Sequence, residues 1–319
     1  MPSNARMTEP RTVKAIAFDR HGGPDVLAPA AVEVPAPGPG QIRIAVRTAG
    51  VNPLDHKIRR DEVREHFVVA LPHVPGIEAA GVVTATGPGV TDLAAGDEVF
   101  GRTVTGSYAE EALAEARHVA RRPATLGWAE AAAVPTAAET AHRCLRELGM
   151  REGETLLLHA AAGGVGVLAV QFAVARGIRV IGTASEANHG LLRELGAEPV
   201  AYGEGLAARV RALAPEGVHA ALDGAQRGGS LALSVELTGG TERVLAIAEY
   251  GDAVRHGVRF SGGSDLDLMP PALAEALALH RAGTLRLPVH RLHPLADAAL
   301  AHEESERGHA RGKRVLVIH

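Results

Sequence analysis

A glycine-rich turn near the middle of the chain is the segment whose residues most clearly suggest chemistry. It joins an apolar, strand-like run at residues 155–159 to a helix-like segment at residues 167–176. Gly163 and Gly166 lie where a Cβ would obstruct a tight bend or a close approach of the backbone. A phosphate at the start of that helix would meet unpaired N–H groups and the positive end of the helix dipole. The turn therefore predicts a dinucleotide site, with backbone contacts from Ala162, Gly163, Gly164 and Val165.

The turn departs from the usual dinucleotide fingerprint, G-x-G-x-x-G, because its first glycine is replaced by Ala161. Taken alone, it could equally be a buried strand and a helix joined by a glycine-rich connection. A second strand-like run at residues 179–184 follows the helix and completes a βαβ unit of suitable length. This context favours the dinucleotide site.

The end of the second strand bears on which dinucleotide binds. An acidic residue about 20 residues beyond the turn would hydrogen-bond the ribose hydroxyls of NAD. Here Ala184 and Ser185 occupy the strand end, and Ser185, Asn188 and His189 could each contact a 2′-phosphate. We therefore expect NADPH as the cofactor. Glu186 opposes this interpretation if its carboxylate points towards the ribose.

The predicted elements along the chain indicate two domains that differ in secondary-structure content. Short strand-like runs separated by proline and glycine turns predict an antiparallel, barrel-like domain between residues 13 and 120. Alternating helix-like and strand-like segments follow and predict a parallel sheet covered by helices on both faces. We expect an α/β protein with a Rossmann-type doubly wound parallel sheet domain at residues 126–287. Residues 1–125 and the returning segment 288–319 are expected to form the β-rich domain.

Composition and charge narrow the class of protein. The 319 residues are 46% hydrophobic and 22% charged, which is typical of a globular protein with two cores. A net charge of −4 argues against nucleic acid or an anionic membrane as the main partner. No basic segment followed by an apolar stretch opens the chain, so we expect a cytoplasmic protein.

Cysteine and histidine usage argues against a metal enzyme. Cys144 is the only cysteine, which excludes internal disulfides and multi-cysteine zinc sites. It lies in a helix-like segment, where a half-buried structural thiol is expected. The 16 histidines show no zinc-binding pattern.

The order of motifs resembles that of the medium-chain dehydrogenase/reductase superfamily, and the local sequences resemble its zinc-free quinone oxidoreductase branch. The resemblance covers nearly the whole chain. Besides the alanine-rich glycine turn, its pieces are residues 49–55, 75–83, 96–101, 106–110, 131–141 and 308–313. It implies a GroES-like barrel for the β-rich domain. Asn52, Ile77 and Thr136 stand where zinc-dependent relatives have ligands, which implies hydride transfer without zinc to a quinone or an α,β-unsaturated carbonyl.

Asn52 and Asp55 are the candidate catalytic residues, within an Asn-Pro-x-Asp turn. One interpretation is turn chemistry, because both residue types hydrogen-bond local backbone groups. The resemblance implies instead that Asn52 lies beside the nicotinamide and the substrate. There its amide could donate to a developing enolate or hydroquinone oxygen.

The resemblance adds further cofactor residues. It implies that Tyr202 lies against the 2′-phosphate, that Thr140 lines the cofactor, and that the backbone of Ser261 and Gly262 lies near the nicotinamide carboxamide. Relatives commonly have a lysine close to the position of Asn188. Its charge is missing here, and His189 or Lys313 could compensate; alternatively Lys313, like Arg311, is an ordinary solvated charge. For Thr140 the alternative is a hydroxyl bonded to a carbonyl four residues back.

Three aspects of function stay open at this level. The loop at residues 57–71 has no tyrosine, which enoyl reductases of the superfamily use as proton donor, and this favours quinones. The strand before Ser261 implies a homodimer by analogy. Two alternative functions are a pathway-specific tailoring reductase or cyclase and a non-catalytic NADPH-binding protein.

Overall fold

The computed structural model describes residues 9–225, 229–263, 265–308 and 310–319. Its contacts divide the chain into two units. Unit 1 comprises Met1–Thr136, Met269–Ala274 and Pro288–His319, and unit 2 comprises Ala137–Leu268 and Glu275–Leu287. The first boundary thus lies after Thr136 rather than after residue 125.

Most helices of the described residues lie in unit 2 or at its boundaries, whereas the first part of unit 1 consists mainly of strands. The strands are β1 Arg11–Ala17, β2 Ala28–Val34, β3 Gln41–Val51, β4 Glu78–Thr86, β5 Glu98–Arg102, β6 Glu111–Glu115, β7 Val119–Arg121, β8 Thr155–His159, β9 Arg179–Ala184, β10 Glu198–Ala201, β11 Ala220–Asp223, β12 Val244–Ala246, β13 Arg259–Phe260, β14 Val289–Pro294 and β15 Lys313–Val317. The helices are α1 Pro53–Arg59, α2 Trp128–Ala133, α3 Pro135–Glu147, α4 Gly164–Ala175, α5 His189–Glu194, α6 Leu206–Leu213, α7 Ser230–Thr238, α8 Tyr250–Arg255, α9 Met269–Arg281 and α10 Ala298–Arg307. Over the described ranges, no helix combines the length and apolar character that crossing a membrane requires.

Unit 1 is built around the long strand β3. One edge of β3 pairs with β4, while the other pairs with β6 over residues 41–45 and with β15 over residues 48–51. The sheet order is β14-β15-β3-β4-β5-β7, and β1 and β2 form a separate pair. The strands β1 to β7 pair with one another antiparallel, as expected for this stretch. The returning segment adds a parallel pair, β14 and β15. Helix α10 connects them, as a parallel pair requires a crossover.

The boundary shift has a physical reason in α2. This short alanine-rich helix packs on β3, β4 and β15. Ala131, Ala132 and Ala133 are fully buried there. The Thr48 hydroxyl of β3 also donates to the Trp128 carbonyl at 2.8 Å. Helix α2 therefore belongs to unit 1, although the sequence assigned it to the dinucleotide domain.

Unit 2 contains a six-stranded sheet in the order β10-β9-β8-β11-β12-β13, with every pair parallel. Leu156, Leu157 and Leu158 of β8 are all buried, as expected for a strand covered on both faces. The strand order reverses at β8, so its carboxyl end is the topological switch point where such sheets bind ligands. The predicted Rossmann-type doubly wound sheet is confirmed.

The glycine turn follows β8 directly. A Cβ at Gly166 would lie 2.3 Å from the Ala160 carbonyl oxygen, so only glycine fits there. The left-handed residue is Ala160, with φ of 57°. Gly163 has φ of −76°, and a Cβ there would lie 3.3 Å from the same oxygen. The predicted requirement for glycine is thus correct at Gly166 and overstated at Gly163.

The missing first glycine of the fingerprint is compensated on the neighbouring strand. A Cβ at Gly182 of β9 would lie 2.9 Å from the Cβ of Ala161. The methyl group of Ala161 therefore occupies the space that Gly182 leaves open. Strand β8 and the turn can approach β9 closely even though the turn carries an alanine.

Candidate active site

Asn52 immediately precedes α1, and its backbone N–H is capped by a side chain within that helix. The N–H donates to Oδ2 of Asp55 at 2.8 Å. The turn interpretation is therefore correct for the Asp55 carboxylate, which satisfies an N–H group at the helix start. The Asn52 side chain is directed elsewhere.

The Asn52 amide is held by Glu78 of β4 and Lys313 of β15. Its Nδ2 donates to Oε1 of Glu78 at 2.8 Å, and its Oδ1 accepts from Lys313 Nζ. Lys313 Nζ also donates to the same Glu78 oxygen at 2.6 Å. All three side chains are buried. They form a buried ion pair that fixes both ends of one amide.

Two backbone features make room for Glu78. A Cβ at Gly50 would lie 2.1 Å from Oε1 of Glu78, so a glycine on β3 is required beside the carboxylate. The second carboxylate oxygen accepts from the Thr136 backbone N–H at 2.7 Å. Both oxygens of Glu78 are therefore engaged, as a buried carboxylate requires.

The position of Lys313 corrects the sequence prediction. Lys313 opens β15, whose antiparallel pairing with β3 places Arg314 opposite Val51 and so brings Lys313 beside Asn52. Its partners are a carboxylate and an amide instead of a 2′-phosphate. The alternative of a solvated charge is also wrong, since Lys313 is 6% exposed. Arg311, by contrast, is exposed.

Asp55 lies at one end of a buried hydrogen-bonded chain. The Tyr108 hydroxyl is 3.1 Å from Oδ2 of Asp55 and 3.2 Å from Nε2 of His302. Nδ1 of His302 is 3.5 Å from Nη1 of Arg59. The other terminal nitrogen of Arg59, Nη2, donates to Glu306. This series of hydrogen bonds joins α1, the loop before β6 and α10.

The direction of each bond in this chain follows from Arg59. A guanidinium only donates, so His302 accepts at Nδ1 and carries its proton on Nε2. The Tyr108 hydroxyl oxygen therefore accepts a hydrogen bond from Nε2–H of His302, and its own O–H donates to Asp55. Burial, reinforced by the Arg59 charge, lowers the pKa of His302 to about 3, consistent with a neutral ring. Burial and the Asp55 carboxylate also raise the pKa of Tyr108.

Asp55 titrates far from the range of an ordinary aspartate. Burial raises its pKa to about 7, and the Glu78 carboxylate adds to the increase. The Asn52 N–H, Lys313 and the Tyr108 hydroxyl act in the opposite direction. Its second oxygen, Oδ1, is buried without a hydrogen-bond partner in the described part of the chain.

Sequence reasoning named Asn52 and Asp55 but missed the residues that hold them. Glu78 and Tyr108 lie in motifs that carried the resemblance, so their neighbourhood was identified without their roles. His302 gave no sequence signal, because it meets Arg59 across 243 residues.

In unit 2 the predicted 2′-phosphate residues lie at the carboxyl ends of β9 and β10. Asn188 Nδ2 donates to Oγ of Ser185 at 3.2 Å, and His189 Nε2 is 3.4 Å from the Ala184 carbonyl oxygen. Ala201 of β10 pairs with Ala184 of β9, which places the following residue, Tyr202, one strand away. Tyr202 is 57% exposed. The structure brings these candidates to one edge of the sheet.

The loop at Ser261 and Gly262 is anchored to α3 by Arg143, which sequence reasoning missed. Arg143 donates to the Ser261 hydroxyl, to the Gly263 carbonyl at 3.2 Å and to Glu139 at 2.7 Å. The Ser261 hydroxyl donates in turn to Glu147 at 2.7 Å, so its side chain is committed to this cluster. The backbone of Gly262 remains a candidate cofactor contact.

Thr140 also belongs to this cluster. Its hydroxyl is 3.4 Å from Oε2 of Glu139, rather than bonded to a carbonyl four residues back. Cys144, four residues on, is buried, and burial raises the pKa of its thiol to about 12. Cys144 is thus fully buried, where a half-buried structural thiol was expected. Across the described ranges, no three His, Cys, Asp or Glu side chains are grouped to hold a metal ion.

Replacing Lys313 by methionine should destabilise the protein strongly, because Glu78 would then be a buried charge without its cation. We expect K313M to lower the free energy of unfolding by about 3–5 kcal/mol, measured by urea denaturation. Adding E78Q should recover part of this loss, since the unpaired charge is removed. R307Q breaks the exposed Arg307–Glu303 pair and should change stability by less than about 1 kcal/mol. A K313M protein as stable as R307Q would contradict the buried pair.

Asp55 should make stability depend on pH in a defined direction. Its pKa is about 7 in the folded protein and about 4 in an unfolded chain. The folded state therefore binds this proton more tightly, and its stabilising effect, complete below about pH 4, is lost as pH rises to about 7. Relative to the wild type, D55N should gain up to about 1.4 kcal/mol per pH unit across this window.

Urea denaturation of both proteins from about pH 4.5 to about pH 8 measures this difference. His56 and His302 titrate in the opposite direction, because burial lowers their pKa values to about 4 and about 3. They are common to both proteins and should largely cancel in the difference. D19N, at an exposed aspartate, is the matched control. Parallel stability curves for wild type and D55N would contradict the raised pKa.

The chain matches two family descriptions. Residues 38–141 match the alcohol dehydrogenase GroES-like domain, and residues 195–316 match the zinc-binding dehydrogenase domain. The first match lies mostly in unit 1 and confirms the predicted GroES-like domain.

Individual relatives agree with these matches. The chain is 39% identical over 197 residues to rat quinone oxidoreductase, covering 60% of this chain and 59% of that protein. It is 36% identical over 307 residues to the spectinabilin polyketide synthase protein NorB of Streptomyces orinoci, covering 92% of this chain. It spans only 14% of NorB, and 3–5% of three other polyketide synthases.

Solved structures extend the similarity to the whole chain. The structure of mycobacterial Rv1454c complexed with NADPH has a TM-score of 0.82 and 30% identity, and the match covers 96% of this chain and 100% of that one. The quinone oxidoreductase of Coxiella burnetii has a TM-score of 0.78 and 29% identity, over 97% of this chain and 100% of that one. The chain therefore belongs to the medium-chain dehydrogenase/reductase family of oxidoreductases, and within it to the proteins that resemble quinone oxidoreductases.

Proposed function

We propose that the protein is an NADPH-dependent reductase that transfers hydride to a quinone or an α,β-unsaturated carbonyl compound. The observation that carries this proposal is the glycine turn at the carboxyl end of β8, the topological switch point of the sheet. Gly166 lets α4 start against the strand end, and the first-turn N–H groups of α4 have no partners within the helix. These are the features that accept a dinucleotide pyrophosphate.

The residues of unit 2 fit the parts of NADPH. The N–H groups of Gly164 and Val165 would bind the pyrophosphate, and Ser185 with its neighbours would bind the phosphorylated ribose. When bound, the cofactor supplies the hydride, while the protein binds and orients the cofactor and shields it from water. The NADPH complex of mycobacterial Rv1454c supports the choice of cofactor.

We assign the Asn52 amide to the acceptor oxygen, where negative charge develops as hydride arrives. Nδ2 carries two hydrogens and uses one on Glu78, so the second is available to that oxygen. Lys313 donates to the opposite end of the amide, which polarises it and strengthens the N–H as a donor. Asp55 contacts only the Asn52 backbone in this group, so it acts as a positioning residue.

The acceptor has a second candidate class. The 36% identity with NorB over 92% of this chain favours an acceptor of the kind that polyketide synthase components carry. On this alternative, the enzyme reduces one elaborate unsaturated intermediate instead of simple quinones. The likeness to the CurK enoyl reductase, at 23% identity, reflects the shared fold alone.

The homodimer stays a prediction from resemblance. The surface it would use is the edge strand β13 at the end of the unit 2 sheet. Tyr250 and Val254 of the adjacent helix α8 are 54% and 59% exposed, and the Tyr250 ring packs 5.4 Å from that of Phe260. An exposed strand edge beside apolar side chains suits pairing with a second copy.

NADPH absorbance should fall when the protein is mixed with some members of a panel of quinones, enals, enones and an enoyl thioester. With NADH in place of NADPH, the absorbance should fall much less. N52A should lower kcat/KM about a hundredfold, because a donor to the developing oxygen charge is lost. R307Q, at an exposed pair, is the control and should retain full activity.

The remaining outcomes separate the alternatives. NADPH binding with turnover of an enoyl thioester only would favour the polyketide-type substrate. NADPH binding without oxidation by any acceptor would indicate a non-catalytic protein and contradict the proposal. Equal use of NADH would contradict the choice of cofactor.

A further inference from the structure

The proposed 2′-phosphate edge lacks the cation that a phosphate needs. Residues 185–190, which follow β9, and residues 202–205, which follow β10, contain no lysine or arginine. They contain two acidic residues, Glu186 and Glu204, both exposed. With Lys313 bound to Glu78 in unit 1, neither cationic candidate suggested by the sequence supplies a permanent charge here. A dianionic phosphate beside two carboxylates would be repelled unless another residue compensates.

Arg209 returns from helix α6 to this edge. Its Nε and Nη2 donate to the Ala201 carbonyl oxygen at 3.2 and 2.7 Å. Its Nη1 donates to the Glu204 carbonyl oxygen at 2.9 Å. A Cβ at Gly205 would lie 3.0 Å from Nη1, so glycine leaves space for the guanidinium. The side chain is therefore held in one place against the turn that follows β10.

The contacts of Arg209 fix its position without neutralising its charge. These three bonds go to backbone carbonyls, which carry no net charge. A guanidinium has five N–H donors in a fixed fork, so two remain for another acceptor. Arg209 is half-buried, which leaves part of the group accessible. Planar forks of this kind bind phosphate oxygens in pairs.

The distance to the predicted phosphate residues follows from the strand pairing. Ala201, which accepts from Arg209, is paired with Ala184 in the parallel ladder of β9 and β10. Adjacent strands lie about 4.8 Å apart. Ser185 follows Ala184 directly, and Tyr202 follows Ala201. The carbonyl that holds the guanidinium thus belongs to a residue about one strand spacing from Ala184, which immediately precedes Ser185.

We propose that Arg209 is the residue that determines specificity for the 2′-phosphate of NADPH, in place of the lysine that relatives commonly have near Asn188. This inference rests on the proposed NADPH-dependent function and names a residue of that site. Without Arg209, Glu186 and Glu204 would favour free ribose hydroxyls. Arg209 therefore decides whether the edge prefers NADPH or NADH.

The test compares R209Q with R211Q on the full chain. Arg211 lies two residues further along the same helix and pairs with Glu236, so R211Q removes the same charge away from this edge. Binding of NADPH, NADH, adenosine 2′,5′-bisphosphate and AMP is measured by titration calorimetry. We expect R209Q to weaken NADPH and the bisphosphate about 10- to 100-fold, with NADH and AMP unchanged. R211Q should bind all four like the wild type.

The outcomes separate this inference from the proposed function. Equal weakening of NADPH and NADH by R209Q would overturn the inference, because it would indicate that Arg209 only supports the turn. Unchanged NADPH binding in R209Q would overturn it as well, while leaving the cofactor assignment intact. R209K keeps the charge but loses the fork, so an affinity between R209Q and wild type supports the inference. A wild-type protein that binds neither NADPH nor the bisphosphate would overturn both.

Discussion

The buried carboxylate of Glu78 is the constraint on which the rest of unit 1 depends. A charge with no solvent exposure is tolerated only when a counter-ion and hydrogen bonds replace its water. Lys313 provides the counter-ion across 235 residues of sequence, and Thr136 N–H and the Asn52 amide provide hydrogen bonds. The returning strand β15 therefore does more than complete the sheet. It carries the cation without which Glu78, and with it the orientation of Asn52, could not be maintained.

The same constraint contributes to the raised pKa of Asp55. Glu78 and Asp55 share one buried region, and the ammonium of Lys313 is bonded directly only to Glu78. Burial is the main cause of the raised pKa of Asp55. The Glu78 charge raises it further, because two carboxylates with one nearby cation cannot both ionise easily. Neutral donors, the Asn52 N–H and the Tyr108 hydroxyl, supply the remaining support for Asp55. Asn52 is consequently held from two sides, through its amide and through its backbone.

The sequence predicted what depends on local pattern. Alternation and turn residues indicated both sheets, and Gly166 is needed where the fingerprint places a glycine. The role of Ala161 was not predictable in isolation, since its methyl group fits only because Gly182 lies on the next strand. His302 and the parallel pairing of β14 with β15 were equally hidden. Each depends on contacts between segments far apart in sequence, and no periodicity or motif records them.

Lys313 illustrates why charged residues are the hardest to assign from sequence. Under the proposed function, two anions need cations in this protein: the buried Glu78 carboxylate and the 2′-phosphate that we place at the exposed edge of the unit 2 sheet. Loss of the cation costs several kcal/mol at a buried carboxylate but much less where water screens the charge. A lysine that can be buried therefore stabilises the protein more beside the fully buried Glu78 than at the exposed edge. The exposed edge can use an arginine held by backbone carbonyls, because a planar guanidinium keeps both its charge and free donors while anchored. Burial of the anion, more than proximity in sequence, decides which cation serves which site.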